Sequence, residues 1–256
     1  MNEIINILGI EFRAIDLSNS KQIINNAIDN DLSLSVFTPN PEILMKARHN
    51  GDLKEMLNSA ELLLPDGIGV IYASRILGSP LPERIAGIDM GEYLLRLAAE
   101  RSLKVYLLGA RPGVAELAAA NLIKTFPKLI ICGTHHGYFN KNGAYNSHLL
   151  SEINSAAPDI LIVCFGAPAQ EKWIYDNKHS LNSVRIIAGL GGSLDVWSGK
   201  VSRAPRIMQK LSLEWVWRII RQPKRITFLF KIPIFLLAVY MQKRKNKHQI
   251  TVKQKS

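Results

Sequence analysis

The chain has 256 residues, enough for one large hydrophobic core or two small ones, and its 47% hydrophobic and 21% charged content excludes an intrinsically disordered chain. Its charge is unevenly placed. Lys200–Ser256 holds 15 of the 32 Lys and Arg against one acid, Glu214, for a net +14, while the preceding 199 residues carry −3 of the total +11. Met1–Ile5 lacks a basic region followed by an apolar run, which argues against a secretory signal.

In chain order, Ile4–Ile15 reads as one or two strands at a sheet edge. The Asp29-Asn30-Asp31 triplet lies at a helix end before a strand, so it reads as a turn and not as a metal–diphosphate motif. From Leu32 to Gly192, short Ile/Val/Leu-rich runs alternate with helical patterns. The predicted strands are Leu32–Phe37, Glu61–Leu64, Lys104–Leu108, Leu129–Cys132, Ile160–Phe165 and Arg185–Ala188. The predicted helices are Pro41–His49, Ile68–Leu77, Met90–Glu100, Gly113–Lys124, Ala144–Ala156 and Ala169–His179. Continuous apolar strands alternating with helices predict an α/β, Rossmann-like, mostly parallel sheet covered on both faces. Cys132 and Cys164 sit in strand-like segments, as buried reduced thiols of a cytosolic protein do.

The tail has helical logic. Arg206, Lys210, Arg218, Arg221 and Arg225 recur at multiples of three or four, with Glu214 filling the gap, beside an apolar stripe of Ile207, Leu211, Trp215 and Ile219. Pro223 ends or kinks that helix. The following apolar run, Ile226–Met241, is broken by Lys231 and Pro233 and falls short of the about 20 residues a bilayer span needs. A division follows: residues 1–199 as the α/β domain, 200–256 as a basic amphipathic appendage. Cations interleaved with aromatic and aliphatic residues suit an anionic membrane surface, with nucleic acid as the rival partner.

Three strand ends run into glycine turns: Gly109 to Gly113, Gly166 to Pro168 and Gly189 to Gly192. In open α/β sheets ligands bind beyond the carboxyl ends of strands, where glycine lets backbone approach a phosphate. Together the turns point to a nucleotide or sugar-nucleotide site, although none has the spacing of a dinucleotide fingerprint or a P-loop. Other candidates flank them. Thr38 and Asn40 follow a strand and either cap the next helix or face a ligand. Asp66 is either a helix cap or a general base at the mouth of a cleft. Arg84 offers a forked donor for phosphate, or is an inconsequential neighbour of Glu83. Gln170 can donate and accept toward a sugar, and Asp195 can take a nucleobase N–H. His135 and His136 are adjacent, so their side chains diverge on extended chain and make a poor metal pair.

These residues resemble the WecG/TagA/CpsF glycosyltransferases. The likeness rests on Thr38-Pro39-Asn40, Pro65-Asp66-Gly67-Ile68-Gly69, Glu83-Arg84-Ile85-Ala86-Gly87, Leu107-Leu108-Gly109, Gly137-Tyr138-Phe139, Gly166 to Glu171, Gly191 to Asp195, Arg203-Ala204-Pro205 and Leu213 to Arg218, in order over residues 4 to 226. It implies inverting transfer of a sugar from a UDP-sugar to a polyprenyl-diphosphate-linked sugar at the inner face of a bacterial membrane, for teichoic acid, common antigen or exopolysaccharide. It implies no Asp-x-Asp metal site; no cofactor and no nucleic-acid partner are expected, and the sequence leaves open whether a divalent metal assists. By resemblance the base is Asp66, and Thr38, Asn40, Arg84 and Gln170 are active-site groups. Gly109, Arg111, Tyr138, Gly166, Gln170 and Asp195 are expected at the donor, with Arg218 and Arg225 of the appendage reaching its diphosphate. Thr227-Phe228-Leu229-Phe230 is more apolar than the family pattern, which often continues with Arg. The sequence leaves the sugar open between N-acetylmannosamine, its uronic acid and glucose, and leaves the oligomeric state open as well. A noncatalytic nucleotide-binding membrane scaffold is the competing expectation.

Overall fold

The computed structural model describes residues 3–221 and 228–253. Six strands form one sheet: β3 (Leu34–Phe37), β4 (Leu62–Leu63), β5 (Lys104–Gly109), β6 (Ile130–His135), β7 (Ile160–Cys164) and β8 (Ile186–Gly189). Their order is β4-β3-β8-β7-β5-β6 and every pairing is parallel. The expected α/β architecture is therefore present.

Period-2 alternation divides the sheet between two cores. Phe37, Leu63, Leu108, Leu161, Val163 and Ile187 point into one. It is completed by α2 (Pro41–Arg48), α3 (Gly51–Asn58), α4 (Ile68–Leu77), α7 (Ala144–Ala156) and α8 (Ala169–Asn177). Val36, Leu62, Leu107, Ile162 and Ala188 point into the other. That face carries α1 (Leu17–Asp29), α5 (Gly87–Arg101), α6 (Val114–Thr125) and α9 (Ser193–Trp197). The strands read as nearly continuous apolar runs because both faces are covered.

The N-terminal segment departs from expectation. β1 (Ile4–Ile7) and β2 (Ile10–Arg13) form a separate antiparallel hairpin and do not join the sheet edge. Their inward residues Ile5, Ile7, Ile10 and Phe12 seal the first core instead. Asp29 closes α1 and pairs with Arg101, while Asp31 pairs with Arg185 at 2.8 Å, so the acidic triplet is the turn it was read as.

The tail is not one helix. It breaks into α10 (Arg206–Lys210), α11 (Glu214–Arg221) and α12 (Phe228–Lys253), with Ser212 in the left-handed region at φ 59° between the first two. That turn interrupts the single charged stripe read from residue spacing, and Pro223 and Arg225 lie outside the described residues. α12 docks on α4 and α2, burying Phe235, Ala238 and Val239 in the first core. Lys231 pairs with Glu42 at 3.0 Å, and the Gln242 carboxamide accepts from the Leu8 N–H at 2.9 Å. The opposite side leaves Ile234, Leu237, Tyr240 and Met241 exposed. Among the described residues no helix is long and apolar enough to cross a membrane.

Candidate active site

The carboxyl ends of the parallel strands open onto one side of the molecule. β3 delivers Thr38 and Asn40, β4 delivers Asp66, β5 delivers Arg111, β7 leads to Gly166 and Gln170, and β8 leads to Gly191 and Asp195. Three hollows run together there. The first is an open cleft of about 1140 Å³, lined among others by Arg111, Tyr138, Lys141, Gly166, Lys200 and Asp195. Gly191 and Gly192 connect it to a second hollow that holds Thr38, Asn40, Asp66, Gln170 and Glu171. Asn40, Asp66 and Glu214 connect the second to a third, walled by Arg84, Trp215, Ile219 and Ile232. Thr38, Asn40, Asp66, Arg84 and Gln170 thus line adjoining hollows, with Asp66 at the junction of the second and third.

Asp66 is half-buried, and its backbone N–H donates to the Pro39 carbonyl at 3.2 Å, tying the β4 tip to the β3 tip. The cap position of α4 is Gly67, at φ 90°, so Asp66 stands before the helix and not at its cap. Asn40 does cap: its Oδ1 accepts from the Glu42 and Ile43 N–H groups at 2.9 and 3.2 Å, which fixes it at the hollow's edge. Thr38 packs against α5 at Gly87, where an added Cβ would come within 2.8 Å of Thr38 Oγ1.

Gln170 is buried and serves two partners. Its Oε1 accepts from the Gly191 N–H at 2.9 Å, and its Nε2 donates to Glu171 Oε1 at 3.0 Å. The β8 turn is therefore held by a side chain, and the Gly191 N–H is not offered to a phosphate. Gly109 lies beneath the cleft and not in its lining. At φ 142°, a Cβ there would meet the Cys164 carbonyl at 2.4 Å, so glycine is required for the β5–β7 contact, and Ala110 and Arg111 carry the turn into the cleft.

Tyr138 is 66% exposed at the cleft rim, and Asp195 borders the cleft on the far side. Arg218 stands in α11, and Arg225 lies outside the described residues. Cys164 is buried, and burial pushes its thiol up to about 12. The two histidines belong to an aromatic group: the His135 ring lies 5.4 Å from Phe139 and its Nε2 lies 3.1 Å from the Tyr145 hydroxyl. Among the described residues no group of three His, Cys, Asp or Glu is arranged to hold a metal ion.

Arg84 departs from the phosphate role read from its chemistry alone. Its Nη1 donates to Glu214 Oε2 at 2.8 Å, and Glu83 instead accepts from the Leu17 N–H at 2.9 Å. Arg203 extends the pair, reaching Glu214 at 3.4 Å, Glu92 at 3.1 Å and also Asp89. Burial alone would raise the Glu214 carboxyl. The hydrogen bond from Arg84 and the charges of Arg84 and Arg203 outweigh it and hold the group below the ordinary range. The tail's single acid thus ties α11 to the body through Arg84.

Residue spacing gave no sign of Glu171 or Lys141 as site groups. Lys141 Nζ donates to the Gly137 carbonyl at 2.9 Å and sits 4.5 Å from the Phe165 ring centroid, and burial lowers its pKa. Its position in a glycine-flanked loop resembles that of any surface lysine in sequence.

A six-stranded parallel sheet covered by helices on both faces, with an open cleft at its carboxyl strand tips, defines a doubly wound α/β protein. The chain belongs to the Glycosyl transferase WecG/TagA/CpsF family, which it matches over residues 5–249, and it is a glycosyltransferase. It is 35% identical over 248 residues to the N-acetylglucosaminyldiphosphoundecaprenol N-acetyl-beta-D-mannosaminyltransferases of Staphylococcus aureus strains MRSA252 and MW2, covering 95% of this chain and 94% of theirs. The same identity and coverage hold for the protein of that name from strain NCTC 8325.

Proposed function

We propose that the enzyme transfers N-acetylmannosamine, or its uronic acid, from a UDP-sugar to a polyprenyl-diphosphate-linked N-acetylglucosamine or a related lipid-linked acceptor, with inversion. The names of the Staphylococcus aureus relatives support the sugar and the acceptor. The observation that carries the reading is the place of Asp66, which borders both the hollow continuous with the cleft and the groove walled by the appendage. In this scheme the nucleotide occupies the cleft, its sugar lies in the second hollow, and the acceptor enters by the third.

Asp66 then removes the proton of the acceptor hydroxyl as that oxygen attacks the anomeric carbon, and UDP leaves from the opposite face. Arg111, Lys141 and Lys200 line the cleft and meet the departing diphosphate's charge, with the appendage arginines Arg218 and Arg225 as further candidates. Asp195 and Tyr138 border the uridine end. Thr38, Asn40 and Gln170 shape the sugar hollow, and Arg84 faces the acceptor. With protein cations in this role the reaction proceeds without a divalent metal, so a chelator is expected to leave turnover unchanged.

The apolar groove wall of Trp215, Ile219 and Ile232 suits a lipid-borne substrate. The exposed Ile234, Leu237, Tyr240 and Met241, followed by Lys243, Arg244 and Lys245, suit an anionic bilayer surface on which the enzyme rests peripherally from the cytoplasm. Each cation near such a leaflet contributes about 1 kcal/mol. Flotation with anionic liposomes, alongside the absence of a gel shift on duplex DNA, is the expected pattern.

The direct test is incubation with UDP-N-acetylmannosamine and lipid-linked N-acetylglucosamine, read by mass spectrometry beside a panel of other UDP-sugars. A product heavier by one N-acetylhexosamine is expected. Transfer from another UDP-sugar alone would refute the sugar assignment, and no transfer from any of them would refute the reading as a whole.

A further inference from the structure

Glu171 is 2% exposed, and its Oε2 has no hydrogen-bond partner among the described residues. A buried carboxylate oxygen without a donor costs about 1–3 kcal/mol or more, so a folded protein keeps one where something else satisfies it. The oxygen itself has almost no exposed surface, but its side chain lines the same hollow as Asp66, Thr38 and Asn40, so a turn of the carboxyl group brings it to a ligand there. The partner of the other oxygen settles its chemistry. Gln170 Oε1 accepts from the Gly191 N–H, which makes Gln170 Nε2 the donor to Glu171 Oε1. Oε1 is therefore an acceptor already in use, and Oε2 is the atom left for a ligand or a proton.

Resting on the proposed UDP-sugar reading, we infer that Glu171 is a sugar-recognition residue: its Oε2 accepts a hydrogen bond from an O–H or N–H of the donor sugar in the Asp66 hollow. The sugar rather than the nucleotide is the partner because this hollow adjoins the nucleotide cleft through Gly191 and Gly192 but lies beyond it. Gln170 then links the two ends of the donor, holding the β8 turn with one atom and the sugar-binding carboxylate with another.

Burial pushes the Glu171 carboxyl up to about 7, so its protonated and ionised forms coexist near neutral pH. The groups around it are few. Lys46 of α2 is the cation whose charge reaches it, and Asp66 and Glu214 border the same hollow. On α3, Glu55 is engaged by the Tyr175 hydroxyl at 2.8 Å, and Lys178 beyond α8 is paired with Glu61 at 2.9 Å. Cys164 of β7 packs in the opposite core. An O–H or N–H donated to Oε2 favours the ionised acid, so a fraction of the protons on that oxygen passes to solvent when the sugar binds.

The test is calorimetric titration of the full-length wild-type and Glu171→Gln proteins with UDP and with UDP-N-acetylmannosamine, near pH 6.5 and in buffers of different ionisation enthalpy. In Glu171→Gln the amide oxygen still serves Gln170, while an NH2 donor replaces the accepting Oε2 with no change of size. Wild-type protein is expected to bind the UDP-sugar more tightly than UDP and to release a fraction of a proton with the sugar but not with UDP. Glu171→Gln is expected to keep its UDP affinity, which also certifies its fold, to bind the UDP-sugar about 10- to 100-fold more weakly than wild type, and to release no proton. Glu171→Asp, which withdraws the oxygen by one methylene, is expected to fall between them. Wild-type binding of UDP with the full sugar increment retained in Glu171→Gln would overturn the inference alone. A wild-type protein that binds neither ligand would overturn it together with the UDP-sugar reading.

Discussion

The two walls of the Asp66 hollow are built by different physics. The wall on the sheet side stands on strands whose core residues, among them Val36, Leu108, Ile162 and Val163, are fully buried, and its β8 turn is held by the buried Gln170 side chain. The facing wall, α11, is held by one acid shared between Arg84 and Arg203, whose side chains are 15% and 20% exposed. Apolar burial is not weakened by charge screening, whereas a partly exposed ion pair is. The Asp66 hollow thus has an apolar-packed floor and a charge-latched side, which suits the proposed entry of a lipid-borne acceptor between the two.

Variants on either wall sharpen that contrast. Asp66→Asn acts at the junction and has the largest effect: transfer is expected to fall about 100- to 10,000-fold with UDP-sugar binding retained, in a steady-state assay beside calorimetry. Near-wild-type turnover would reject the base. Phe235→Ala tests how firmly α12 belongs to the core. Because Phe235 is fully buried, a loss of about 3–5 kcal/mol is expected in denaturant unfolding. A loss below 1 kcal/mol would show α12 to be loosely attached.

Glu214→Gln opens the latch and leaves the sheet side intact. Removing a charge-assisted pair costs about 1.5–3 kcal/mol, so transfer to the lipid acceptor is expected to drop about tenfold or more while UDP affinity holds. The pH dependence follows the same pair. Glu214 is held below the ordinary carboxylate range, so its contribution is complete at neutral pH and is lost only as pH falls through that depressed value. Lys141→Ala is the converse, expected to weaken UDP binding by up to about tenfold with liposome flotation unchanged. Equal loss of both functions in either variant would erase the distinction between the walls.

How much of this is legible in the sequence follows from the same division. The sheet side is local: apolar strand runs and their glycine turns read directly, and α4 and α7 fall at their expected bounds, Ile68–Leu77 and Ala144–Ala156. α3 escapes notice because it opens on Gly51 and buries only Leu53 and Leu57. The N-terminal hairpin shows its alternation, but period 2 does not say which sheet a strand joins. The appendage side rests on pairs distant in sequence, with Arg84 and Glu214 separated by 130 positions, and no periodicity reports such a contact. Regular spacing even suggests one continuous stripe there, because a turn at Ser212 leaves the pattern of charges intact. Glu171 is hidden for a further reason: in sequence it is an acidic residue in a helix's first turn, where acids are ordinary.

A structure of the enzyme with UDP bound tests the central claim most directly. The account predicts uridine in the cleft between Tyr138 and Asp195, with the β-phosphate ending at Gly192 and directed toward Asp66. UDP seated away from the strand tips, or with its diphosphate pointing out of the Asp66 hollow, would contradict it.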